Sequence, residues 1–297
     1  MDMTLKFDNK YVYNIRVMAI CTYKDCYVMD NSMGKELIHI GGRLKYDETI
    51  EQAITREINE ELGITVSPTL IGMCENFFEH ESQNCHEHLF VHKIDLSEYD
   101  LSNVANYIQF VKKEDIDKYI VYPFCWKKFE ISTEKFIFET VIEQKQLLDK
   151  DICFVLGEKD GIIQEYDFRV SALIRKGGQI LIDESSRDMS HLLPIGGRLH
   201  YGETLEEGIN REVEEELCTK IKSFKLRGIG EDFFVIHEDK HIHFISAVFE
   251  VDLESENIVG ADGSEPVWLD INELNPSNTK MTSFIEFFNN KDACHVF

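Results

Sequence analysis

The chain has 297 residues, of which 43% are hydrophobic and 29% are charged, which is typical of a folded globular protein and excludes a disordered chain. Its length suits two domains, because domains most often hold roughly 100 to 150 residues. The net charge of −24 excludes duplex nucleic acid as an expected partner but is compatible with a small phosphorylated ligand held through divalent cations.

The sequence predicts a cytoplasmic protein with no membrane partner. No apolar run approaches the roughly 20 residues that cross a bilayer, and the start, MDMTLKFDNK, lacks the basic and then apolar order of a secretion signal. The eight cysteines contain no Cys-x-x-Cys pair, which predicts reduced thiols and gives no closed zinc site.

Each half of the chain contains the same order of predicted elements. The strands YNIRVMAICTYKDCYVMD (13–30) and YDFRVSALIRKGGQILID (166–183) come first, and a glycine turn and a helix follow. Further strands lie at 72–90 and 228–245, before the similar segments FVKKEDI (110–116) and WLDINEL (268–274). The apolar residues of EKFIFETVIEQKQLLDKD (134–151) predict a helix that ends the first half. This order predicts the α/β (α+β) fold class.

The central segment is repeated without a gap. IGGRLKYDETIEQAITREINEEL (40–62) aligns with IGGRLHYGETLEEGINREVEEEL (195–217) at a constant offset of 155 residues. A repeat of this length is too long for a solenoid unit and has the size of a domain. We therefore predict two copies of one fold, at residues 1–149 and 150–297.

Both repeated segments predict an amphipathic helix. Thr49 and Thr204 precede the apolar-periodic stretch, and Gln52 and Glu207 follow three residues later, which is the capping-box spacing of a helix start. The apolar stripe would anchor one face of each helix in a core.

Three glutamates lie on each predicted helix at positions i, i+3 and i+4, which brings their carboxylates onto one surface. They are Glu57, Glu60 and Glu61 in the first copy and Glu212, Glu215 and Glu216 in the second. Such like charges destabilise a helix by roughly 0.2 to 0.5 kcal/mol per pair, so the cluster needs solvent or a cation. Oxygen ligands of this kind favour Mg²⁺ or Mn²⁺. Acidic triplets are usually solvated faces, and only the full spaced pattern, present twice, favours a site.

Glycines and arginines surround these glutamates. Gly41 and Gly42 allow a sharp bend that could offer a carbonyl to a metal ion, or form an ordinary turn. Arg43 could bind phosphate oxygens or be a surface charge, and Arg56 could pair with Glu48 and hold the loop against the helix. The second copy repeats these five residues as Gly196, Gly197, Arg198, Arg211 and Glu203. On the first strand, Arg16 and Arg169 could reach phosphate or be ion-paired.

Gly42, Glu48 and the run REINEELGI (56–64), in this spacing, resemble a complete Nudix box, the signature of the Nudix (MutT-like) pyrophosphohydrolases. The second box, at 197–219, departs at its end: Cys218 stands in place of Gly63, and Thr219 stands where the box has an aliphatic residue. The flanking strands extend the resemblance over both halves. It implies two tandem Nudix folds, each an α/β/α sandwich around a mixed β-sheet.

The resemblance also implies roles for these residues. The box glutamates and the carbonyls of Gly41 and Gly196 would hold Mg²⁺ or Mn²⁺, and water would cleave the phosphoanhydride linkage of a nucleoside diphosphate derivative or a nucleoside triphosphate. Catalytic roles would fall to Glu57, Glu60, Glu212 and Glu215. A glutamate outside the box often acts as metal ligand or general base, and Glu87 has a suitable position, whereas the alignment puts Ile242 at its place in the second copy. We therefore expect the first site to be the stronger catalyst.

Other interpretations stay open. His86, His88, His241 and His243 alternate along strands and could hold a metal ion, although hydrogen-bonded histidines near a pocket are the commoner case. The aromatic pairs at 77–78 and 233–234 could stack on a base or lie in the core.

The leading hypothesis is a tandem hydrolase of small nucleotides. A nucleotide-sensing protein that binds without turnover is the alternative, and a second copy that serves only as a scaffold is a third. The resemblance leaves open a monomer whose two copies imitate a dimer, or a homodimer. ADP-ribose, dinucleoside polyphosphates, nucleotide sugars and damaged nucleoside triphosphates are all candidate substrates.

Overall fold

A computed structural model describes residues 2–34, 36–159, 161–184, 192–236, 239–255, 257–261 and 263–297 of the chain. The chain divides into two compact units, Met1–Lys145 and Gln146–Phe297. Among the described residues, no helix combines the length and the apolar character that crossing a bilayer requires.

The described part of the first unit contains nine strands and two α-helices. The strands are β1 Thr4–Phe7, β2 Tyr11–Tyr23, β3 Cys26–Asp30, β4 Glu36–Arg43, β5 Thr69–His80, β6 Gln83–Asp95, β7 Ile108–Lys112, β8 Ile120–Tyr122 and β9 Ile137–Ile142. The helices are α1 Ile50–Leu62 and α2 Trp126–Ile131, and a 3₁₀ helix, Lys113–Lys118, follows β7.

These strands form one mixed sheet in the order β7-β3-β4-β2-β6-β5-β9, with β1 beside β2 and β8 beside β4. The pairs β2–β6, β4–β8 and β5–β9 are parallel, and the others are antiparallel. Helix α1 packs against β2 and β4. Met18 and Leu89, on the central strands, belong to a buried cluster with Trp126 and Phe129 of α2.

The described part of the second unit contains nine strands and two α-helices as well. The strands are β10 Cys153–Lys159, β11 Ile162–Leu173, β12 Arg175–Lys176, β13 Gln179–Asp183, β14 Leu193–Pro194, β15 Ile221–Ile236, β16 Lys240–Leu253, β17 Pro266–Asp270 and β18 His295–Val296. The helices are α3 Leu205–Leu217 and α4 Thr282–Asn289, and a 3₁₀ helix, Ile271–Glu273, follows β17.

Two sheets build this second unit. One has the order β10-β11-β16-β15-β18, and the other has the order β12-β13-β14 with β17 beside β13. Helix α3 packs against β11 and β15, and α4 packs against β15 and β18. Phe284 and Phe287 of α4 lie in a buried cluster with Val248 of β16. The predicted α/β fold class is confirmed: helices pack against a mixed sheet in each half, and the second unit has an additional antiparallel sheet.

One predicted element is wrong. Residues 134–151 do not form a helix, because 137–142 form strand β9, and the final helix of the first unit is the earlier α2. The sequence IFETVI is rich in β-branched and aromatic residues, which fit a pleated strand better than a helix. The parallel edge of β5 accepts this strand, with Gly72 opposite Ile137 and Phe77 opposite Ile142.

Candidate active site

The two box helices begin and end in the same way. In α1, the Thr49 side chain accepts from the Gln52 backbone while Gln52 bonds back to Thr49, and Thr204 and Glu207 form the same reciprocal pair in α3. Gly63 ends α1 in the left-handed conformation with φ 71°, and Cys218 ends α3 with φ 49°. The second helix therefore has the same termination despite losing the glycine.

An arginine on each helix ties the loop to the glutamates. Arg56 donates to Glu48 through Nε and Nη2, at 2.9 and 2.7 Å, and to Glu57 Oε1 at 2.6 Å. Its Nη2 also bonds the Arg43 carbonyl at 3.0 Å. In the second unit Arg211 makes the equivalent contacts to Glu203, Glu212 and the Arg198 carbonyl. Such two-pronged charge-assisted bonds fix the loop against the helix.

The loop backbone comes very close to the first glutamate of each cluster. A Cβ atom on Gly42 would collide with the Glu57 carboxylate, and one on Gly197 would collide with Glu212. Gly41 has its own constraint, because a Cβ there would overlap the Val17 carbonyl of the neighbouring strand. The paired glycines thus allow strand, loop and carboxylate to approach one another.

In each cluster, the third glutamate has the pKa that departs most from its ordinary value. Burial and the charge of Asp30 raise the pKa of Glu61 to about 7, although a hydrogen bond from the Gly41 backbone opposes this rise. Its buried Oε2 atom has no hydrogen-bond partner among the described residues. Burial likewise raises the pKa of Glu216 to about 8, against the hydrogen bond that the Gly196 N–H donates to it at 3.0 Å.

These features fit a divalent cation. A buried carboxylate oxygen without a partner is costly, and neighbouring carboxylates add repulsion that a cation would remove. Glu57, Glu60 and Glu61 carry carboxylate oxygens, which are the kind of ligand atom that Mg²⁺ and Mn²⁺ prefer. Asp30 and its counterpart Asp183 also belong to these clusters, although the glutamate spacing does not predict them: each raises the pKa of the third glutamate, and each ends a strand of the aligned segments.

A pocket of about 430 Å³ opens beside Gly41 in the first unit. Arg16 lines it on β2, where it pairs with Arg43 across the antiparallel ladder to β4. Glu87 also lines it, is 7% exposed, and accepts a hydrogen bond from Asn76 Nδ2 at 3.2 Å. The fold therefore brings Arg16, Gly41 and Glu87 to one cavity of a size typical of small-molecule sites.

Comparison with known proteins identifies the family. The NUDIX domain model matches residues 16–125 and again residues 166–287, which together make up well over half of the chain. The chain belongs to the Nudix family. The tandem pair of Nudix folds that the repeated box implies is thereby confirmed. No curated protein matches the chain.

Several solved Nudix structures resemble the protein over the length of one domain. A MutT protein from Methanosarcina mazei Go1 is 25% identical, with 43% of this chain and 93% of that chain covered and a TM-score of 0.34. A NUDIX hydrolase from Nitrosomonas europaea is 18% identical, with coverages of 43% and 91% and a TM-score of 0.34. A MutT protein from Bacillus halodurans is 15% identical, with coverages of 44% and 85% and a TM-score of 0.30.

The alignment that placed Ile242 opposite Glu87 is wrong by two residues. In the first Nudix unit Glu87 pairs with Asn14 of β2, and in the second the equivalent Asp167 of β11 pairs with Phe244. The number of residues between β5 and β6 differs from the number between β15 and β16, and only the strand register shows where the difference falls. Phe244 belongs to the core cluster with Phe284, so the second unit does lack a carboxylate at this position.

The arginines that follow the paired glycines have different surroundings in the two Nudix units. Arg43 is half exposed, and its Nη1 atom lies 3.8 Å from Asp2 Oδ2, a surface contact of little energy. Arg198 donates through Nε to both oxygens of Asp167, at 2.9 and 3.0 Å, and lies 3.4 Å from Glu165 and 3.5 Å from Asp151. Carboxylates of the protein therefore surround the second arginine.

Arg169, which is the strand arginine of the second unit, also forms contacts within the protein. Arg169 Nη2 donates to the Gly196 carbonyl oxygen at 3.3 Å, and its guanidinium lies over the Phe244 ring at 5.3 Å. The Gly196 oxygen is the atom that the Nudix resemblance assigns to the metal. A guanidinium bonded to it places positive charge where the cation would bind.

Three of the four predicted histidines, His86, His88 and His243, are buried, and His88 and His243 contact buried glutamates. His88 bonds the Tyr13 hydroxyl at 2.8 Å and Glu75 at 3.3 Å, and His86 stacks on Phe77. Ligand atoms of Glu75, His86 and His88 lie within 4.8 Å of one another. In the second unit Glu231 bonds His243 at 3.2 Å and, in place of a second strand histidine, His295 of β18 at 2.8 Å.

Proposed function

We propose that the first Nudix unit is a divalent-metal-dependent pyrophosphohydrolase that cleaves the phosphoanhydride linkage of a nucleoside diphosphate derivative or a nucleoside triphosphate. The observation that carries the proposal is the buried Oε2 of Glu61, which has no hydrogen-bond partner within the described part of the chain and lies on the same helix as Glu57 and Glu60, beside the Gly41 pocket. A carboxylate held in this way is stabilised by a cation, and the pocket is open to a substrate.

The residues of the first unit would divide the work. Glu57, Glu60, Glu61 and the Gly41 carbonyl would hold Mg²⁺ or Mn²⁺. When bound, such an ion would neutralise the diphosphate and make water a better nucleophile near neutral pH. Arg56 bonds both Glu57 and Glu48, and it thereby holds the Glu57 carboxylate and the loop in fixed positions.

Substrate handling falls to the residues around the pocket. Arg43 and Arg16, paired across neighbouring strands, would bind the phosphate oxygens. Glu87, oriented by Asn76, would accept a proton from the attacking water. The water oxygen bonds to one phosphorus, the bridging P–O bond breaks, and the leaving phosphate departs with the bridging oxygen.

For the second unit we propose binding without efficient turnover, the alternative function that its own contacts favour. Asp167 and Glu165 hold Arg198, Arg169 bonds the Gly196 carbonyl, and Phe244 replaces the proposed base. The intact box glutamates still suit a cation. A sensing or scaffolding role is consistent with this arrangement.

The test is a mass-spectrometric screen of the full chain with Mg²⁺ or Mn²⁺. The substrates are ADP-ribose, dinucleoside polyphosphates, nucleotide sugars and oxidised nucleoside triphosphates. We expect a nucleoside monophosphate product that is lost with EDTA and in Glu57→Gln. Binding of these compounds with no product across the whole panel would favour the sensor, and metal-independent product would contradict the proposed chemistry.

We propose domain limits of 1–149 and 150–297, a small nucleotide as ligand, and a cytoplasmic protein with neither a membrane nor duplex nucleic acid as partner. It would act as a monomer with two paired copies or as a homodimer.

A further inference from the structure

A buried histidine in the pocket wall has no role in the proposed chemistry. His39 lies on β4, is 3% exposed, and lines the pocket beside Gly41. Neither Nδ1 nor Nε2 has a hydrogen-bond partner among the described residues. Buried side-chain nitrogens are nearly always paired in native proteins, so two on one ring need an explanation.

Within the described ranges of the chain, the contact given for the His39 ring is aromatic and not polar. Its ring packs at 5.0 Å from the Trp126 ring, with an angle of 58° between the planes. An unmade hydrogen bond in such a site costs free energy that a bound ligand would recover. A buried imidazole without a counter-ion is neutral, and a neutral imidazole offers one donor and one acceptor.

The pocket lining indicates which part of a ligand would meet this ring. Tyr122 and Phe124 line the cavity, with ring centroids 4.6 Å apart, and Phe124 is 60% exposed. Aromatic faces of this kind suit a planar ring. Carboxylates line the cavity too, and they are Glu36, Glu79, Glu87 and Glu143. Their charge disfavours an anionic group, apart from phosphates near Arg16 and the cation site.

We propose that His39 is a specificity-determining residue that hydrogen-bonds the base of a nucleotide bound in the first unit. The inference rests on the proposed function in one respect, namely that this pocket receives a nucleotide. It adds that the substrate carries a neutral heteroaromatic base with a donor or acceptor on its edge, and that this edge meets His39 while the phosphates face Arg16 and Gly41.

The second unit differs at this position. The repeat places Pro194 where the first unit has His39, and Pro194 is buried at the end of β14. Proline has neither a polar side chain nor a backbone N–H with which to contact a base. The two units therefore differ in base recognition as well as in the arginines.

The test uses the full chain and equilibrium binding with Mg²⁺ present. Calorimetry compares the common ribonucleoside 5′-monophosphates with ribose 5-phosphate, which lacks the base, in the wild type and in His39→Leu. We expect the leucine variant to bind the preferred monophosphate roughly five- to tenfold more weakly, the size of one neutral hydrogen bond. Its affinity for ribose 5-phosphate should not change.

Two further variants separate recognition from folding. His39→Asn retains a polar atom near the position of Nδ1 and His39→Gln retains one near Nε2, so at least one should recover the affinity and the base preference. With a hydrolysed substrate, the leucine variant should raise KM by the same factor and leave kcat within about twofold. Equal weakening for ribose 5-phosphate and the monophosphate would overturn the inference, as would unchanged binding of both.

The test of His39 and the test of the proposed hydrolase activity can fail independently. If the wild type hydrolyses no compound of the panel but binds a monophosphate in a manner that depends on His39, base recognition stands and the hydrolase proposal fails. If hydrolysis depends on Glu57 while His39→Leu leaves base preference intact, the hydrolase stands and the inference about His39 fails.

Discussion

The Nε atom of Arg198 donates to both carboxylate oxygens of Asp167, at 2.9 and 3.0 Å. Asp167 is fully buried, and the first unit has Asn14 at the equivalent position. If the guanidinium moved away, the buried carboxylate would be left as an uncompensated charge, which is costly. The pair therefore keeps the Arg198 guanidinium in place. A phosphate that approaches Arg198 must therefore compete with a carboxylate that Arg43 does not face.

Replacing Asp167 with the residue of the first unit should release Arg198. We expect Asp167→Asn to tighten nucleotide binding by the second unit roughly five- to tenfold, because a hydrogen bond to a charged group contributes about 1.5 kcal/mol or more. The measurement is calorimetric titration of the full chain in the Glu57→Gln background, which disables the first site. Asp151→Asn is the matched control, since Asp151 is half exposed and its pair with Arg198 should matter less. Equal effects of the two changes would contradict the special role of Asp167.

The box glutamates of the two units should contribute unequally to turnover. Glu57→Gln is expected to lower kcat about 100-fold or more, because it removes a proposed metal ligand from the unit with available arginines. Glu212→Gln should leave kcat within about threefold, since the proposed second site turns over poorly. Steady-state kinetics with the best substrate decides, and the reverse order would show that the second unit is the catalyst.

The close approach of Gly42 to Glu57 predicts a selective loss of metal binding. In Gly42→Ala the new methyl group would displace the Glu57 carboxylate, which is the flexible end of a side chain, so the fold should survive. We expect Mn²⁺ affinity, measured by electron paramagnetic resonance, to fall about 10- to 100-fold. Gly178→Ala serves as control, because a Cβ there meets nothing within 4 Å. Unchanged Mn²⁺ affinity in Gly42→Ala would argue against Glu57 as a ligand.

The helix ends predict a simple difference in stability. Cys218 adopts the left-handed conformation that Gly63 adopts in the first unit. In this conformation a residue other than glycine destabilises the folded state by roughly 1 kcal/mol or more. Urea unfolding should show that Cys218→Gly stabilises the protein by about 1 kcal/mol and that Gly63→Ala destabilises it by a similar amount. Cys218→Ser keeps the conformation and should have little effect. A stabilising serine would mean that the thiol, not the backbone, is responsible.

The buried Glu231 predicts an acid-sensitive contribution to stability. Burial would raise its pKa, but hydrogen bonds from His243 and His295 lower it to about 2. Because the unfolded-state pKa lies near 4.3, this contribution is present above that pH and is lost as the pH falls towards 2, at about 1.4 kcal/mol per pH unit. Glu231→Gln should therefore destabilise the chain at pH 7, and the gap to wild type should close in acid. Urea unfolding at several pH values measures this difference in the free energy of unfolding, with the exposed Glu286→Gln as control. A difference that grows in acid would contradict a lowered pKa of Glu231.

Local patterns accounted for the box and its helix. Capping residues, the apolar stripe and the i, i+3, i+4 spacing act within about two helical turns, so Thr49, Glu57 and Glu61 could be placed from neighbouring residues alone. The same holds for the second copy, where Thr204 and Cys218 begin and end α3 in the same conformations.

Local sequence patterns did not predict the strand register. A helix was predicted over 134–151 because its apolar residues were read without the partner strand β5, which supplies the hydrogen bonds of β9. The position opposite Asp167 was missed by two residues because hairpin lengths differ, and register depends on pairing between distant strands.

The sequence by itself determined the family, the duplication and the identity of the acidic cluster, because these depend on residue type and short spacing. Only the tertiary structure decided which charges meet: Asp167 reaches Arg198 across 31 residues of chain, and Arg169 reaches the Gly196 carbonyl across 27. It also placed His39 in the wall of a pocket, where neither ring nitrogen has a hydrogen-bond partner among the residues that the structure describes. Burial and electrostatic pairing arise from side chains far apart in sequence, and they are what distinguish two units with nearly the same box.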